Sequence, residues 1–146
     1  MKIEILNLRL TTSLFYTPIE KPEPFNYTES SEAGHGTEML FCFDLDEDQY
    51  RSFEPEKDKI IKNLVFGGVY AGEKPDSSAA GKLLELAPGD YLFAQKRELL
   101  GRDEIIELVL EIQMEGLWQR LRPEKKIYLR YLFEDGKTVT QLFRPY

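Results

Sequence analysis

Cysteine and histidine are almost missing from this chain of 146 residues, in which Cys42 and His35 are the only examples. A single cysteine excludes an intrachain disulfide, and a single histidine excludes a histidine pair as a metal-binding motif. The sequence also lacks the glycine-rich phosphate-binding patterns and the G-x-S-x-G pattern of hydrolases. We therefore expect no cofactor, no metal and no catalytic role for His35. Cys42, in the apolar stretch LFCFDL, is expected to be a buried and inert thiol.

Positive charge is also scarce: the chain has 19 Lys and Arg residues and 26 Asp and Glu residues, which gives a formal net charge of -7. An acidic surface repels phosphate groups, so we expect neither nucleic acid nor an anionic membrane as a partner. Long apolar runs are missing too. The longest uncharged one, NLVFGGVYAG, is too short to span a bilayer, and the N-terminal MKIEILNLRL has charges where a signal peptide needs an apolar core. These features predict a cytoplasmic protein.

Hydrophobic residues make up 42% of the chain, which is enough to form the core of one domain over residues 1–146. Alternating or β-branched patterns predict strands at residues 2–10, at TEMLFCFDLD (37–46) and at NLVFGGVYAG. The stretch 83–99 predicts two strands around a turn at Pro88-Gly89-Asp90. Loops are expected at 18–37 and at EKPDSSAAG, and residues 47–63 are ambiguous, with Pro55 able to open a short helix.

Residues 103–121 form the clearest predicted helix, with Asp103 as a plausible N-cap and Pro123 as its stop. Apolar residues cover more than half of its circumference, so it is expected to pack broadly against a sheet. Its one polar arc consists of Glu104, Glu107, Glu111 and Glu115. A solvated face explains such an arc most simply, and a cation-binding or partner-docking face is the alternative. Trp118 lies near the edge of this arc.

The C-terminal stretch predicts a β-hairpin, because Asp135-Gly136 is a typical two-residue turn between KKIYLRYLFE and KTVTQLFRPY. This turn fixes the register and pairs Tyr128 with Phe143, Arg130 with Gln141, Leu132 with Val139, and Glu134 with Lys137. The opposite face, which contains Leu129, Tyr131, Phe133 and Leu142, is more apolar and should meet the long helix. The predicted fold class is therefore α+β: an antiparallel sheet with one main helix packed on one face.

The stretch LAPGDYLFAQ (86–95) places two aromatic rings and an amide on alternate positions of one strand. They could join the mixed face of the hairpin around one concavity. The candidate ligand-binding residues are thus Tyr91, Phe93, Gln95, Tyr128, Arg130, Gln141 and Phe143. A guanidinium group such as that of Arg130 matches a carboxylate or phosphate in two-point geometry. The alternative is a partly exposed sheet face on which an arginine lies over aromatic rings.

The acidic stretch DLDED places Asp44, Asp46 and Asp48 at the spacing of the first ligands of a calcium loop. Such a loop needs glycine at its sixth position and glutamate at its twelfth. Gln49 and Pro55 occupy these positions, so a solvated acidic loop is expected instead.

LAPGDYLFAQ also resembles a short segment of the GyrI-like (gyrase-inhibitor-like) ligand-binding domains. The later helix with its tryptophan, LVLEIQMEGLWQRL, and the tail LFRPY follow in the order found in that family. The resemblance covers residues 64–146. It implies two β-α-β-β units around an antiparallel sheet, with a ligand on the concave side away from the helices. The family's pocket glutamate has no counterpart in KKIYLRYLF, where Arg130 stands close to its expected place.

The leading interpretation is a stand-alone, cytoplasmic small-molecule-binding domain without catalytic chemistry, with a small aromatic or anionic molecule as its ligand. A protein–protein interaction subunit is the alternative, in which exposed aromatic residues of the sheet are buried in a homodimer or against another protein. An enzyme that uses Tyr and Glu as acid and base is a third interpretation, although nothing in the sequence brings such groups together.

Overall fold

The computed structural model describes residues 3–20, 38–45, 63–72, 83–134 and 136–146. Within these ranges the chain forms eight strands and one helix. In chain order they are β1 (Leu6–Leu10), β2 (Leu14–Pro18), β3 (Met39–Asp44), β4 (Asn63–Gly72), β5 (Leu84–Leu86), β6 (Gly89–Lys96), α1 (Arg102–Trp118), β7 (Lys126–Glu134) and β8 (Lys137–Pro145). All eight strands belong to one sheet, in the order β1-β6-β8-β7-β3-β4-β2-β5, and neighbouring strands in it run antiparallel.

The sheet curls into a half-barrel, and its short connections show why. β1 is at one edge and β2 is next to the other, yet only residues 11–13 join them. Likewise, two residues join β5, at the far edge, to β6, which pairs with β1. Because a residue spans at most about 3.6 Å, both links bring the two ends of the sheet together. The sheet therefore has a concave interior and a convex exterior.

The predicted α+β class is wrong, and so is the two-unit β-α-β-β arrangement. Strands account for 56% of the described residues and the single helix for 17%. The fold is a mostly antiparallel, eight-stranded half-barrel that has a hydrophobic core of its own inside the curl. The error arose because the edge strands pair with partners distant in sequence, and local periodicity does not report such pairings.

The half-barrel has a core on each side of the sheet. The interior core receives side chains from all eight strands, among them Tyr16, Leu86, Tyr91 and Phe143. The exterior core lies between the sheet and α1, where Leu108 and Ile112 of the helix are fully buried. Strand alternation explains this division, because successive side chains of β6 point to opposite faces. Leu92 and Ala94 accordingly pack under the helix, together with Leu129, Tyr131 and Leu142, which the sequence had placed there.

The hairpin register is confirmed: β7 and β8 pair Tyr128 with Phe143, Arg130 with Gln141, Leu132 with Val139, and Glu134 with Lys137. Gly136 has a φ of 77°, the left-handed conformation that such a turn requires. The helix is confirmed with shifted ends. Its N-cap is Gly101 rather than Asp103, and the Gly101 N–H donates to the Glu104 carboxylate at 3.5 Å.

Several sequence predictions lie outside the described residues. They are most of the 18–37 loop with His35, the EKPDSSAAG loop, the ambiguous 47–63 stretch up to residue 62, the acidic residues Asp46 and Asp48, and Asp135 of the turn. Within the described ranges, no helix combines the length and the apolar character needed to cross a membrane.

Candidate functional site

The four aromatic residues of the predicted site come together inside the half-barrel. Register places Phe93 opposite Phe143, which in turn lies opposite Tyr128. The ring of Phe143 is 4.9 Å from that of Phe93 and 5.9 Å from that of Tyr91, centre to centre. All four side chains are buried. These rings therefore pack on one another as part of the interior core, and a ligand at this place would have to displace them.

The three polar residues of the predicted site form one hydrogen-bonded chain beside the aromatic rings. Arg130 Nη1 donates to Gln141 Oε1 at 3.2 Å, and Gln141 Nε2 donates to Gln95 Oε1 at 2.9 Å. The structure adds Glu38, which lies just before β3. Arg130 Nε and Nη2 are 3.1 and 2.9 Å from the two Glu38 carboxylate oxygens, and the Tyr16 hydroxyl also donates to this carboxylate.

Glu38 binds the guanidinium group of Arg130 in two-point geometry, which is the geometry in which a carboxylate ligand would bind. The two side chains are only 16% and 20% exposed. The arginine thus has an internal counter-ion, which neutralises the charge proposed to attract an anionic ligand. Sequence reasoning missed Glu38 because it lies 92 residues from Arg130. Only the long-range pairing of β3 with β7 brings them together.

The interior hydroxyl and thiol groups are held in their neutral forms. Burial raises the pKa of the Tyr16 and Tyr128 hydroxyls, and it also raises that of Tyr91 ahead of smaller effects from Glu124 and Glu85. Burial likewise raises the pKa of the Cys42 thiol to about 12. Because the thiolate rather than the thiol is the nucleophile, Cys42 is not activated in this environment.

The described residues also border a half-open cavity of about 810 Å³ at the C-terminal end of α1, called here the helix-end cavity. Its walls come from α1, from the segment that follows it and from β8. The lining residues are Gln113, Leu117, Leu121, Arg122, Pro123, Glu124, Lys125 and Arg144. This volume falls within the range of small-molecule sites in proteins, about 300–1,000 Å³.

The segment after α1 is fixed in place by backbone hydrogen bonds. Leu121 N–H donates to Gly116 C=O at 2.9 Å, and Glu124 N–H donates to Pro145 C=O at 2.8 Å. Gly116 permits close packing here, because a Cβ atom at this position would lie 3.0 Å from Pro123 Cγ and 3.2 Å from Leu92 Cδ1. One wall of the helix-end cavity is therefore a defined backbone anchored to β8.

Arg144 is the most unusual residue of the helix-end cavity, because its side chain is fully buried although it carries a charge. Its Nη1 donates to Gln113 Oε1 at 3.1 Å, and its Nε donates to Glu124 C=O at 3.2 Å. Gln113 is itself only 1% exposed. These two hydrogen bonds orient the guanidinium group between α1 and the segment that follows it.

A second apolar feature lies on the outer side of α1. A groove of about 470 Å³, called here the helix groove, is lined by Ile3, Ile5, Leu110, Glu111, Met114, Glu115 and Trp118. Met114 is 45% exposed and Trp118 is 84% exposed. The N-terminal segment is held beside the helix by reciprocal amide hydrogen bonds of 2.9 and 3.1 Å between Asn7 and Gln119. Trp118 therefore stands in solvent beside a fixed apolar wall.

Sequence reasoning did not find the helix-end cavity, although part of its signal was available. Strand alternation places Arg144 on the same face of β8 as Leu142, which was expected to meet the helix. A charged residue on an apolar face is the observation that points to a functional or structural role. Its hydrogen bond to Gln113 depends on how α1 sits on the sheet, which no local pattern reports.

No model of a protein family matches this sequence, and no curated protein matches it significantly. The resemblance to GyrI-like domains therefore stays a prediction from short sequence motifs.

Proposed function

We propose that this protein binds a small organic molecule in the helix-end cavity without transforming it. The observation that carries the proposal is the helix-end cavity of about 810 Å³, whose wall combines apolar Leu117 and Leu121 with polar side chains. A partly apolar cavity of this size with a few polar groups in its wall is the usual construction of a ligand site. A cytoplasmic location, expected from the sequence, is part of the same proposal.

The helix-end cavity supports this function better than the predicted aromatic wall does. Tyr91, Phe93, Tyr128 and Phe143 are buried against one another, and Arg130 is engaged by Glu38. In the helix-end cavity, by contrast, apolar Leu117 and Leu121 face space that a ligand could fill. We therefore propose that the ligand expected from the sequence binds in the helix-end cavity and not at the predicted aromatic wall.

The proposal is tested by screening small organic acids, amines and neutral compounds against the full chain by ligand-observed NMR. Leu121→Trp is the blocking variant, because a larger side chain in the wall reduces the volume of the cavity. Leu6→Trp is its control, since Leu6 is 43% exposed on β1 and does not line the cavity. We expect hits that bind the wild type and Leu6→Trp but not Leu121→Trp. Circular dichroism must show that both variants are folded.

Two results would contradict the proposal. One is a screen without any hit on the folded wild-type chain. The other is a set of hits that bind Leu121→Trp as well as the wild type, because such ligands would occupy another part of the molecule.

The exposure of Trp118 favours a second candidate function, that of an interaction module. A tryptophan that is 84% exposed beside Met114 is unusual on a monomer surface and typical of an interface. Glu107 and Glu111, both exposed, lie on the same side of α1. A homodimer formed through this surface would bring the glutamates of the two copies together, and their like charges would repel each other. A basic amphipathic helix is the partner that fits both the charge and the apolar groove.

This second candidate is tested with a synthetic helical peptide of leucine and lysine, about 15 residues long. Trp118 is the only tryptophan of the chain, so its emission reports binding directly. We expect a blue shift with this peptide and none with a matched leucine–glutamate peptide. Glu107→Gln/Glu111→Gln should weaken binding several-fold, and the distant Glu85→Gln should not. Unchanged Trp118 emission, or equal binding of both peptides, would remove this candidate.

A further inference from the structure

The exposed side of α1 carries a row of residues spaced like the contact seam of a coiled coil. Glu104, Glu107, Glu111, Met114 and Trp118 are all exposed, and they follow one another in alternating steps of three and four residues. Residues at these steps lie on one side of a helix, and a second helix can pack against a seam of this spacing. The spacing therefore favours a helical partner over an extended one.

Two apolar hollows adjoin the C-terminal half of this seam. The first is the helix groove, and the second is a hollow of about 360 Å³, called here the Trp118 hollow, which is lined by Met114, Leu117, Trp118 and Arg120. Met114 and Trp118 belong to both. A partner helix that places apolar side chains in these hollows would remove both exposed residues from water, as ridges of one helix pack into the grooves of another.

The charge along the seam changes sign from one end to the other. Three glutamates occupy its N-terminal half, whereas Arg120, which is exposed, lies just beyond its C-terminal end in the wall of the Trp118 hollow. Within the described ranges, neither Glu107 nor Glu111 forms an ion pair, and Arg120 forms none either. These three charges are therefore free to interact with a partner.

The order of the charges selects a direction for the partner. A helix that runs antiparallel to α1 would place its last turns over the glutamates and its first turn beside Arg120. It would then need cations at its C-terminal end and an anion at its N-terminal end, which is the arrangement that its own macrodipole favours. A parallel partner would need the reverse order, and its charges would oppose its own dipole.

We propose that the partner of this surface is an amphipathic helix that packs antiparallel to α1, with acidic residues in its first turn, apolar residues in its middle and basic residues in its last turns. The inference rests on the second candidate function. It adds that Arg120 binds the acidic start of the partner and that the charge order fixes its direction.

The test uses two matched peptides of about 15 residues, and Trp118 emission reports their binding to the full chain. Both have a leucine stripe and lysines in the last two turns. The acidic-start peptide has glutamates in its first turn, and the neutral-start peptide has glutamines there. We expect the acidic-start peptide to bind the wild type several-fold more tightly.

The variant Arg120→Gln separates contact with the protein from the helicity of the peptide. Glutamates in the first turn also stabilise the free peptide helix, but that advantage would be the same for every variant. We expect the preference for the acidic-start peptide to disappear in Arg120→Gln. It should persist in Arg97→Gln, the control, because Arg97 is an exposed arginine that lines neither hollow. Circular dichroism must show that both variants are folded.

A nitroxide label on the acidic-start peptide reads its direction. With the label at the peptide's N-terminus, we expect broadening of the backbone amide signals of residues 117–120 of the isotope-labelled chain. With the label at the C-terminus, the amides of residues 104–108 should broaden instead.

The outcomes distinguish this inference from the function on which it rests. If the leucine–lysine peptide shifts Trp118 emission but Arg120→Gln retains the preference for the acidic start, the surface binds helices and the inference is wrong. The reverse pattern of broadening would also overturn it. If no peptide changes Trp118 emission, the second candidate function and this inference are both wrong.

Discussion

Arg144 and Gln113 are joined by a hydrogen bond of 3.1 Å between Nη1 and Oε1, and both side chains are removed from solvent. One belongs to the last strand and the other to the only helix of the described chain. The bond therefore links α1 to the sheet and also holds the guanidinium group at the wall of the helix-end cavity. This one contact therefore contributes both to the stability of the fold and to the shape of the proposed binding site.

Replacing the glutamine should reveal its contribution to stability. Gln113→Leu removes one acceptor from a buried guanidinium, and we expect it to lower the free energy of unfolding by about 1–3 kcal/mol. Gln95→Leu is the matched comparison, because it also removes an acceptor, but at an exposed side chain and from the neutral amide of Gln141, so its loss should cost less. Urea unfolding of the three proteins measures the difference. Equal stabilities of the two variants would show that the bond to Arg144 contributes no more than the bond between Gln141 and Gln95.

The Arg130–Glu38 pair should be energetically coupled. Each side chain is less than about one-fifth exposed, so removing one partner leaves a poorly solvated charge. In a double-mutant cycle with Arg130→Met and Glu38→Gln, we expect a coupling energy of about 1–3 kcal/mol. The destabilisations of the two single variants should add up to more than the destabilisation of the double variant. A coupling energy near zero would mean that this ion pair behaves like an ordinary surface pair.

The C-terminal hairpin should depend on glycine at its turn. Gly136 has a φ of 77°, which a β-branched side chain resists, so Gly136→Val should cost about 1–3 kcal/mol. Lys137→Val is the control, since the neighbouring residue is exposed and in β8, where a β-branched side chain is favourable. Thermal melting compares the two. A Gly136→Val variant as stable as Lys137→Val would contradict the role of this turn.

Alkaline pH should destabilise the fold because of the buried Cys42. Burial raises the pKa of its thiol from 9.0 to about 12, so between these values the folded state binds more protons than the unfolded state. The free energy of unfolding should therefore be highest below pH 9 and decrease as the pH rises above it. Tyr16 and Tyr128 act in the same direction, since burial also raises their pKa.

Cys42→Ala isolates the contribution of the thiol. The variant should be less stable at neutral pH because a buried side chain is shortened, but its stability should decrease less steeply above pH 9. Urea unfolding at neutral and alkaline pH gives both slopes. Parallel pH dependences in the wild type and the variant would show that Cys42 does not titrate differently in the two states.

The features that could be predicted from the sequence are those determined locally. Asp135-Gly136 gave the register of β7 with β8, and the apolar periodicity of residues 103–121 gave α1 and its packing against the sheet. Strand alternation also brought the seven predicted site residues to one face of the sheet, and Tyr91, Phe93 and Phe143 are in ring contact there.

The features that could not be predicted depend on contacts between distant segments. The curl of the sheet follows from the pairing of β1 with β6 and of β2 with β4 and β5. Because of this curl, the sheet face that was expected to line an open ligand site is packed as the interior core. The carboxylate of Glu38 reaches Arg130 only through the pairing of β3 with β7. The helix-end cavity likewise depends on how α1 and its following segment meet β8.

NMR titration with the strongest hit of the small-molecule screen, following the backbone amides of the isotope-labelled chain, is the most direct test of the central claim. We predict that the amides of residues 117–125, which line the helix-end cavity, shift together and saturate, while those of Gln95 and Arg130 stay in place. Shifts centred on Arg130 and Gln95, with those of residues 117–125 unchanged, would contradict the account and place the ligand in the half-barrel interior.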